Sequence, residues 1–283
     1  MRVLVFGRTG QLAREIGRAD PSAVLLGREE ADLRDPEGCA RAVAARGPDA
    51  VIVAAAWTDV DGAEAAETEA RVVNAAAPAA IARAAAAMGA PVVHVSTDYV
   101  FPGDAGPYAP DDPTGPPGAY GRTKLLGETA VRAAGGAHAI LRTAWVFSAH
   151  GRNFVRTMLR LGAEREVLRV VDDQRGGPTP AAALANACLT AAAGLRRDPA
   201  LSGTYHYAGA PDVTWAAFAR AIMEEACLPA RVEGIPSSAY GSAAARPLDS
   251  RLDCRTTEEA FGLQRPDWRA GLGDVVREER GGA

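Results

Sequence analysis

Lysine is almost missing from this chain: of 31 basic residues only Lys124 is a lysine. No lysine-rich run exists to neutralise a phosphate backbone, and a net charge of -4 with a pI near 5.7 argues against a broad basic surface. Nucleic acid is therefore not an expected partner, because sequence-independent binding needs clustered positive charge. Cysteine is scarce too. Cys39, Cys188, Cys227 and Cys254 stand apart without a C-x-x-C pair, and His94, His138, His150 and His206 lack metal-ligand spacing. That pattern points to free thiols in a reduced compartment, structural histidines and no metal site.

Long apolar runs are also missing. The most apolar stretch, 181–195, is mostly alanine, contains Asn186 and Thr190, and falls short of the roughly 20 residues a membrane span requires. It reads as a buried helix, and no membrane association is expected. The chain opens Met1-Arg2-Val3-Leu4-Val5-Phe6-Gly7, entering a strand without a charged n-region and a long apolar h-region. The expectation is a cytoplasmic protein.

What is present is an ordinary globular composition, 48% hydrophobic and 23% charged over 283 residues. Short apolar runs alternate with helix-like segments, the pattern of repeated βαβ units around a parallel sheet. Strands are predicted at Val3 to Phe6, Val24 to Leu26, Val51 to Val53, Val92 to Val95 and Ile140 to Val146. Helices are predicted at Leu12 to Arg18, Glu37 to Arg46, Ala63 to Met88 with a break near Pro78, and Gly121 to Ala134. After about residue 150 the pattern loosens into a loop at Arg175 to Pro180, a helix from Ala181 to Gly194, a strand at Tyr205 to Tyr207 and a helix from Trp215 to Glu225. The predicted fold is α/β: a Rossmann-type doubly wound domain over 1–150 and a smaller, mainly substrate-binding α/β domain over 151–283, with segments crossing back to the first.

Gly7-Arg8-Thr9-Gly10-Gln11-Leu12-Ala13 follows the first strand and opens the first helix, where glycines let a backbone approach a pyrophosphate. The same turn is equally read as a tight strand-to-helix connection. The second strand ends in Gly27-Arg28 instead of an acidic residue; Arg28 would meet a 2′-phosphate, or is a solvated turn residue. Asp32 and Leu33 follow where a side chain would reach the adenine edge, or where Asp32 is simply a polar residue flanking a helix. Ala54-Ala55-Ala56-Trp57-Thr58 ends the third strand with small side chains that permit close approach of a dinucleotide, or simply pack on a helix.

Ser96-Thr97-Asp98-Tyr99-Val100-Phe101 ends the fourth strand at the same sheet edge. Tyr120 and Lys124 are four apart, so on a helix they project from one face. A tyrosine with an ordinary pKa near 10 needs a neighbouring positive charge to ionise, and Lys124 is expected to supply it. In a reduction Tyr120 gives its proton to a carbonyl oxygen while Thr97 steadies the developing alkoxide. Trp145 walls a sugar or belongs to the core. Asp172 to Thr179, including Gln174, together with Arg246 offers hydrogen bonds and charge to a nucleoside diphosphate, or forms a domain-interface salt bridge.

With these motifs in place the chain resembles the dTDP-4-dehydrorhamnose reductase family of extended short-chain dehydrogenase/reductases. The resemblance runs through Ser96 to Gly103 (S-T-D-Y-V-F-P-G), Tyr120 to Glu128 (Y-G-R-T-K-L-L-G-E), Leu141 to Phe147 (L-R-T-A-W-V-F) and Arg246 to Asp253 (R-P-L-D-S-R-L-D). It implies reduction of the C4 keto group of dTDP-4-dehydro-β-L-rhamnose by NADPH or NADH, in a monomer or homodimer, with a Mg2+ at a subunit interface as in some relatives. It implies Tyr120 as proton donor, Lys124 anchoring the nicotinamide ribose, Thr97 at the carbonyl, and Asp98, Tyr99 and Trp145 at the deoxysugar. Gly7, Thr9, Gly10, Gln11, Leu12, Asp32, Leu33, Ala54, Ala55, Ala56, Trp57 and Thr58 would line the cofactor. Ala13, Val53 and Asp249 depart from the family's usual residues, and Asp249 is expected either near the diphosphate or facing solvent. Two alternatives remain: a reductase of another nucleotide-linked 4-keto-6-deoxysugar, and a non-catalytic NADP-binding subunit resembling the regulatory partner of methionine adenosyltransferase.

Overall fold

Short runs of aliphatic residues, too apolar to face water on either side, build the central sheet. The computed structural model describes residues 1–281. In it β1 (Val3–Phe6), β2 (Val24–Leu26), β3 (Ala50–Val53), β4 (Val92–Thr97) and β5 (His138–Thr143) are joined by β10 (Gly203–His206) in the order β10-β5-β4-β3-β1-β2. Every pairing in this sheet is parallel. Side chains alternate between two apolar cores. Val3, Val5, Ile52, Val93 and Leu141 pack with α1 (Gln11–Ala19) and α8 (Ala181–Arg197) on one face. Leu4, Phe6, Val51, Val53 and Ile140 pack with α2 (Pro36–Arg46) and α5 (Ala77–Ala87) on the other. The two edge strands, β2 and β10, depart most from full burial, with Val24 of β2 exposed.

The chain moves outward from β1 to β2, then returns to β3 on the other side of β1. The carboxyl ends of β1 and β3 thus flank the reversal point where open α/β sheets leave a crevice. A smaller body forms from α7 (Phe154–Glu164), α9 (Trp215–Glu225), α11 (Trp268–Gly281) and the paired strands β7 (Val167–Val171) and β12 (Arg231–Ile235) around Phe147, Val155, Phe218 and Trp268. Both α8 and β10, although late in the sequence, belong to the central sheet's layers.

Two predicted elements are corrected. The strand predicted over Ile140 to Val146 ends at Thr143; Trp145 adopts φ 49°, which turns the chain away, and β6 (Val146–Phe147) pairs with β9 (Thr179–Pro180) instead. The helix predicted over 63–88 does not break at Pro78. It is divided as α3 (Val60–Ala65) and α4 (Glu67–Arg71), followed by a π-helical turn, Val72–Ala76, that runs into α5. Pro78 has no N–H for the carbonyl of Asn74 four residues before it, and the widened turn accommodates that loss without ending the helix. Within the predicted loop at Arg175 to Pro180, β8 (Arg175–Gly176) pairs with β11 (Val213–Thr214).

Candidate active site at the carboxyl edge of the sheet

The glycine turn is built for close approach. Gly7 has φ 119°, and a Cβ there would lie 3.4 Å from the Cβ of Ala55 and 3.6 Å from that of Ala13. Ala13 is buried against this turn, so its methyl group fills the space beside Gly7 instead of opening it. Gly10 caps α1 with no side-chain hydrogen bond, leaving first-turn N–H groups available to an anion. Thr9 is exposed and Leu12 buried. The Gln11 side chain turns away from the turn: its Nε2 donates to the Val146 carbonyl at 3.1 Å, and its Oε1 accepts from Asn153 at 3.3 Å. It ties the turn to the loop after β6.

Beyond β2, Arg28 is exposed at the rim of a depression of about 440 Å³ shared with Glu29, Glu30, Asp32, Arg41 and Arg46. Glu29 and Glu30 are ion-paired with Arg8 of the glycine turn. Asp32 accepts from the Arg34 amide at 2.9 Å, whereas Leu33 is buried in the core, so its contribution to a binding surface is through packing. Ala54, Ala55, Ala56 and Trp57 are half-buried after β3, and Thr58 is exposed.

Across the crevice, β4 delivers Thr97 opposite Thr143 of β5, and α6 (Ala119–Ala133) delivers Tyr120 and Lys124. Burial pushes the Tyr120 phenol up to about 12; the Thr97 hydroxyl favours ionisation and the charge of Asp98 disfavours it. The charge that acts on Tyr120 here is that of Asp98, while Lys124 is engaged elsewhere. It is 2% exposed, its Nζ donates to the Val95 carbonyl at 2.7 Å and lies 3.5 Å from His94 Nε2. Burial pulls Lys124 down to about 8, with Glu128 opposing. Tyr120 is thus held as a phenol, a group that carries a proton to give. Fully buried His94 is held well below its usual range by burial and by Lys124, and its Nδ1 has no partner.

Asp98 sits beneath Thr97, whose hydroxyl donates to it at 3.0 Å and accepts from the Tyr99 amide at 3.2 Å. The second Asp98 oxygen accepts from Ser250. Burial raises Asp98 to about 7 against these hydrogen bonds. The Tyr99 ring meets Tyr120 edge-on with centroids 5.9 Å apart. Burial also raises the Tyr99 hydroxyl.

Sequence reasoning passed over three residues here. Ser250, buried, reaches Asp98 from the R-P-L-D-S-R-L-D segment. Asn74, on the π-helical turn, accepts from the Trp57 amide at 2.8 Å and donates to the Trp57 carbonyl at 3.2 Å and to Thr123 at 3.1 Å, so one side chain links the wall after β3 to α6. Glu128 accepts from Ser96 at 2.7 Å and from Arg142 at 2.9 and 2.8 Å, fixing α6 to β4 and β5. Burial would raise its pKa, but Arg142 and Ser96 hold it below the usual range.

On the far side Trp145 stacks on Trp215 with centroids 3.6 Å apart. Gln174 is buried, with no side-chain hydrogen bond among the described residues. Arg246 donates to Asp61 at 2.7 Å, taking the salt-bridge role considered for it while its charge also acts on Tyr99. Asp249 is half-buried and does not stand free: Arg251 clamps it at 2.8 and 2.6 Å and holds its pKa down against the effect of burial. Among the described residues, no group of three or more His, Cys, Asp or Glu is placed to hold a metal ion. Among the described residues, no helix is long and apolar enough to cross a membrane.

The family model for the RmlD substrate binding domain matches residues 1–280. The chain belongs to this family. It is 44% identical to the dTDP-4-dehydrorhamnose reductase of Burkholderia thailandensis over 98% of this chain and 99% of that protein. It is 39% identical to the reductase of the same name from Escherichia coli over 98% of each. Among solved structures, the Bacillus anthracis dTDP-4-dehydrorhamnose reductase in complex with NADP superposes with a TM-score of 0.92 at 33% identity, covering 98% of this chain and 99% of that one. The Clostridium acetobutylicum dTDP-4-dehydrorhamnose reductase also gives 0.92 at 32% identity, covering 99% and 100%.

Proposed function

We propose that this chain reduces the C4 keto group of dTDP-4-dehydro-β-L-rhamnose to give dTDP-L-rhamnose, with a nicotinamide dinucleotide as reductant. The observation that carries the reading is the meeting of Thr97 and Tyr120 at the sheet edge, beside a glycine turn whose positive φ and free helix N-terminus suit a pyrophosphate. When bound, the dinucleotide supplies a hydride. The chain supplies the rest. Gly7, Gly10 and the N-terminus of α1 would hold the diphosphate, Ala54 to Thr58 would line the nucleotide, and Lys124 would hold the nicotinamide ribose. Tyr120, a phenol at neutral pH, gives its proton to the C4 oxygen, and Thr97 would donate to the same oxygen by turning its single O–H away from Asp98. Asp98, Tyr99, Trp145, Gln174 and Arg246 would surround the sugar and its diphosphate.

Arg28 supports use of NADPH at least as well as NADH, because it is free of the ion pairs that occupy Glu29 and Glu30. We also infer a cytoplasmic setting, which the buried free thiols of Cys39, Cys188 and Cys254 suit. The deciding assay follows NADPH absorbance with dTDP-4-dehydrorhamnose and with other 4-keto-6-deoxy nucleotide sugars. Fastest oxidation with the dTDP-rhamnose precursor is expected. Binding of NADPH without oxidation on any of them would overturn the reading.

A further inference from the structure

Among the described residues, Trp145 is one of two non-glycine residues with positive φ, at 49°, a costly conformation for a bulky side chain. It is placed two residues beyond Thr143, the strand partner of Thr97, so it leaves the sheet at the carboxyl edge that carries Thr97. Three contacts hold it there. The Thr179 amide donates to its carbonyl at 3.2 Å. Gly176 makes room for the ring, since a Cβ there would lie 2.7 Å from the indole. Trp215 covers one face, 10° from parallel.

Trp215 comes from the smaller body. It is the first residue of α9, whose cap Thr214 accepts from the Ala217 amide at 3.1 Å and donates to Asp172. Phe154 packs on Trp215 at 4.6 Å, so the ring is fixed between two aromatics. A tryptophan serving only the core is fully enclosed, as Trp268 is; Trp215 and Trp145 both keep part of their surface open. The stacked pair therefore spans from the sheet edge to the smaller body, and Trp215 supports the Trp145 indole from one face.

We propose that Trp215 is a positioning residue for the sugar nucleotide: it acts through Trp145, setting the indole that walls the hexose. This rests on the reading of Trp145 as a sugar wall. An aromatic face suits the C–H-rich side of a deoxyhexose, and the indole can serve only if its angle is fixed.

The test uses the full chain with Trp215→Ala, Trp215→Phe and Trp145→Ala. Trp215→Ala is expected to abolish the exciton couplet of the stacked indoles in circular dichroism and to raise KM for the sugar nucleotide about fivefold or more. NADPH affinity by fluorescence titration stays within about twofold of the parent, and Trp215→Phe recovers most of the KM. If Trp145→Ala raises that KM and Trp215→Ala does not, the proposal falls while the Trp145 reading stands. If neither changes it, the Trp145 reading falls and the proposal with it. An equal loss of NADPH affinity marks a merely structural role and also overturns it. Should Trp215→Ala not fold, Trp215→Leu takes its place with the same outcomes.

Discussion

A phenol held up to about 12 beside an ammonium held down to about 8 divides the labour between Tyr120 and Lys124. Tyr120 keeps its proton throughout the working range. Lys124 loses its charge as pH rises through about 8, so turnover should be level below that pH and fall above it; a pH–rate profile flat to pH 10 would contradict this. Tyr120→Phe should lower turnover by roughly 10²–10⁴ while fluorescence titration shows NADPH binding intact. Asp98 gives a stability signature. Its folded pKa of about 7 lies above the ordinary value near 4, so the buried carboxylate costs nothing at low pH and progressively more as pH rises from about 4 to 7. Asp98→Asn should therefore gain Tm relative to the parent on going from pH 4 to pH 8, and a constant difference would refute it. Thr97, Tyr120 and Lys124 were legible because each sits on a local pattern: a strand end, or two positions one helical turn apart. Ser250, Asn74 and Trp215 were not, since each acts on a residue 17 to 152 positions away, a distance no local period encodes.

At the scale of elements, the contact between α6 and the π-helical turn sets the site. Gly127 of α6 lies so near this turn that an added Cβ would stand 2.1 Å from the Asn74 carbonyl. That carbonyl is backbone and cannot rotate aside. Gly127→Ala should cost roughly 1–3 kcal/mol or more in a denaturant titration and slow turnover with it, since the same turn holds Trp57 and Thr123 through Asn74. A variant of parent stability would show that the two helices separate freely. The sequence pattern located α5 and α6 well, but the π turn was hidden because a proline in a helical stretch reads as a break. Only the neighbouring helix reveals that the chain stays wound. The early end of β5 was hidden for a similar reason: after Arg142 and Thr143 the run continues as A-W-V-F with no glycine or proline, and nothing in it announces the left-handed backbone at Trp145.

Across the whole molecule, residues 1–150 cover one face of the sheet only in part, with α1 alone. Leu184, Ala185, Ala187, Cys188, Ala191, Ala192 and Leu195 of α8 belong to the same core as Val3, Val5 and Ile52, and β10 extends the sheet beyond β5. A chain truncated after residue 150 should lack cooperative thermal unfolding, while the full chain melts in one transition by calorimetry. A cooperative melt of the truncated chain would show that the sheet stands without α8. The parallel α/β layering was plain in the sequence because buried strands repeat as short aliphatic runs. The return of α8 was less so, since an alanine-rich helix packs anywhere a flat surface is offered.

The lone lysine has one more consequence. With its ε-amine enclosed behind Val95 and His94, the folded exterior presents no lysine at all. Acylating reagents aimed at primary amines would find the amino terminus first and Lys124 only through the crevice. A single mass increment or a second one would then report, molecule by molecule, whether the crevice was shielded when the reagent was added.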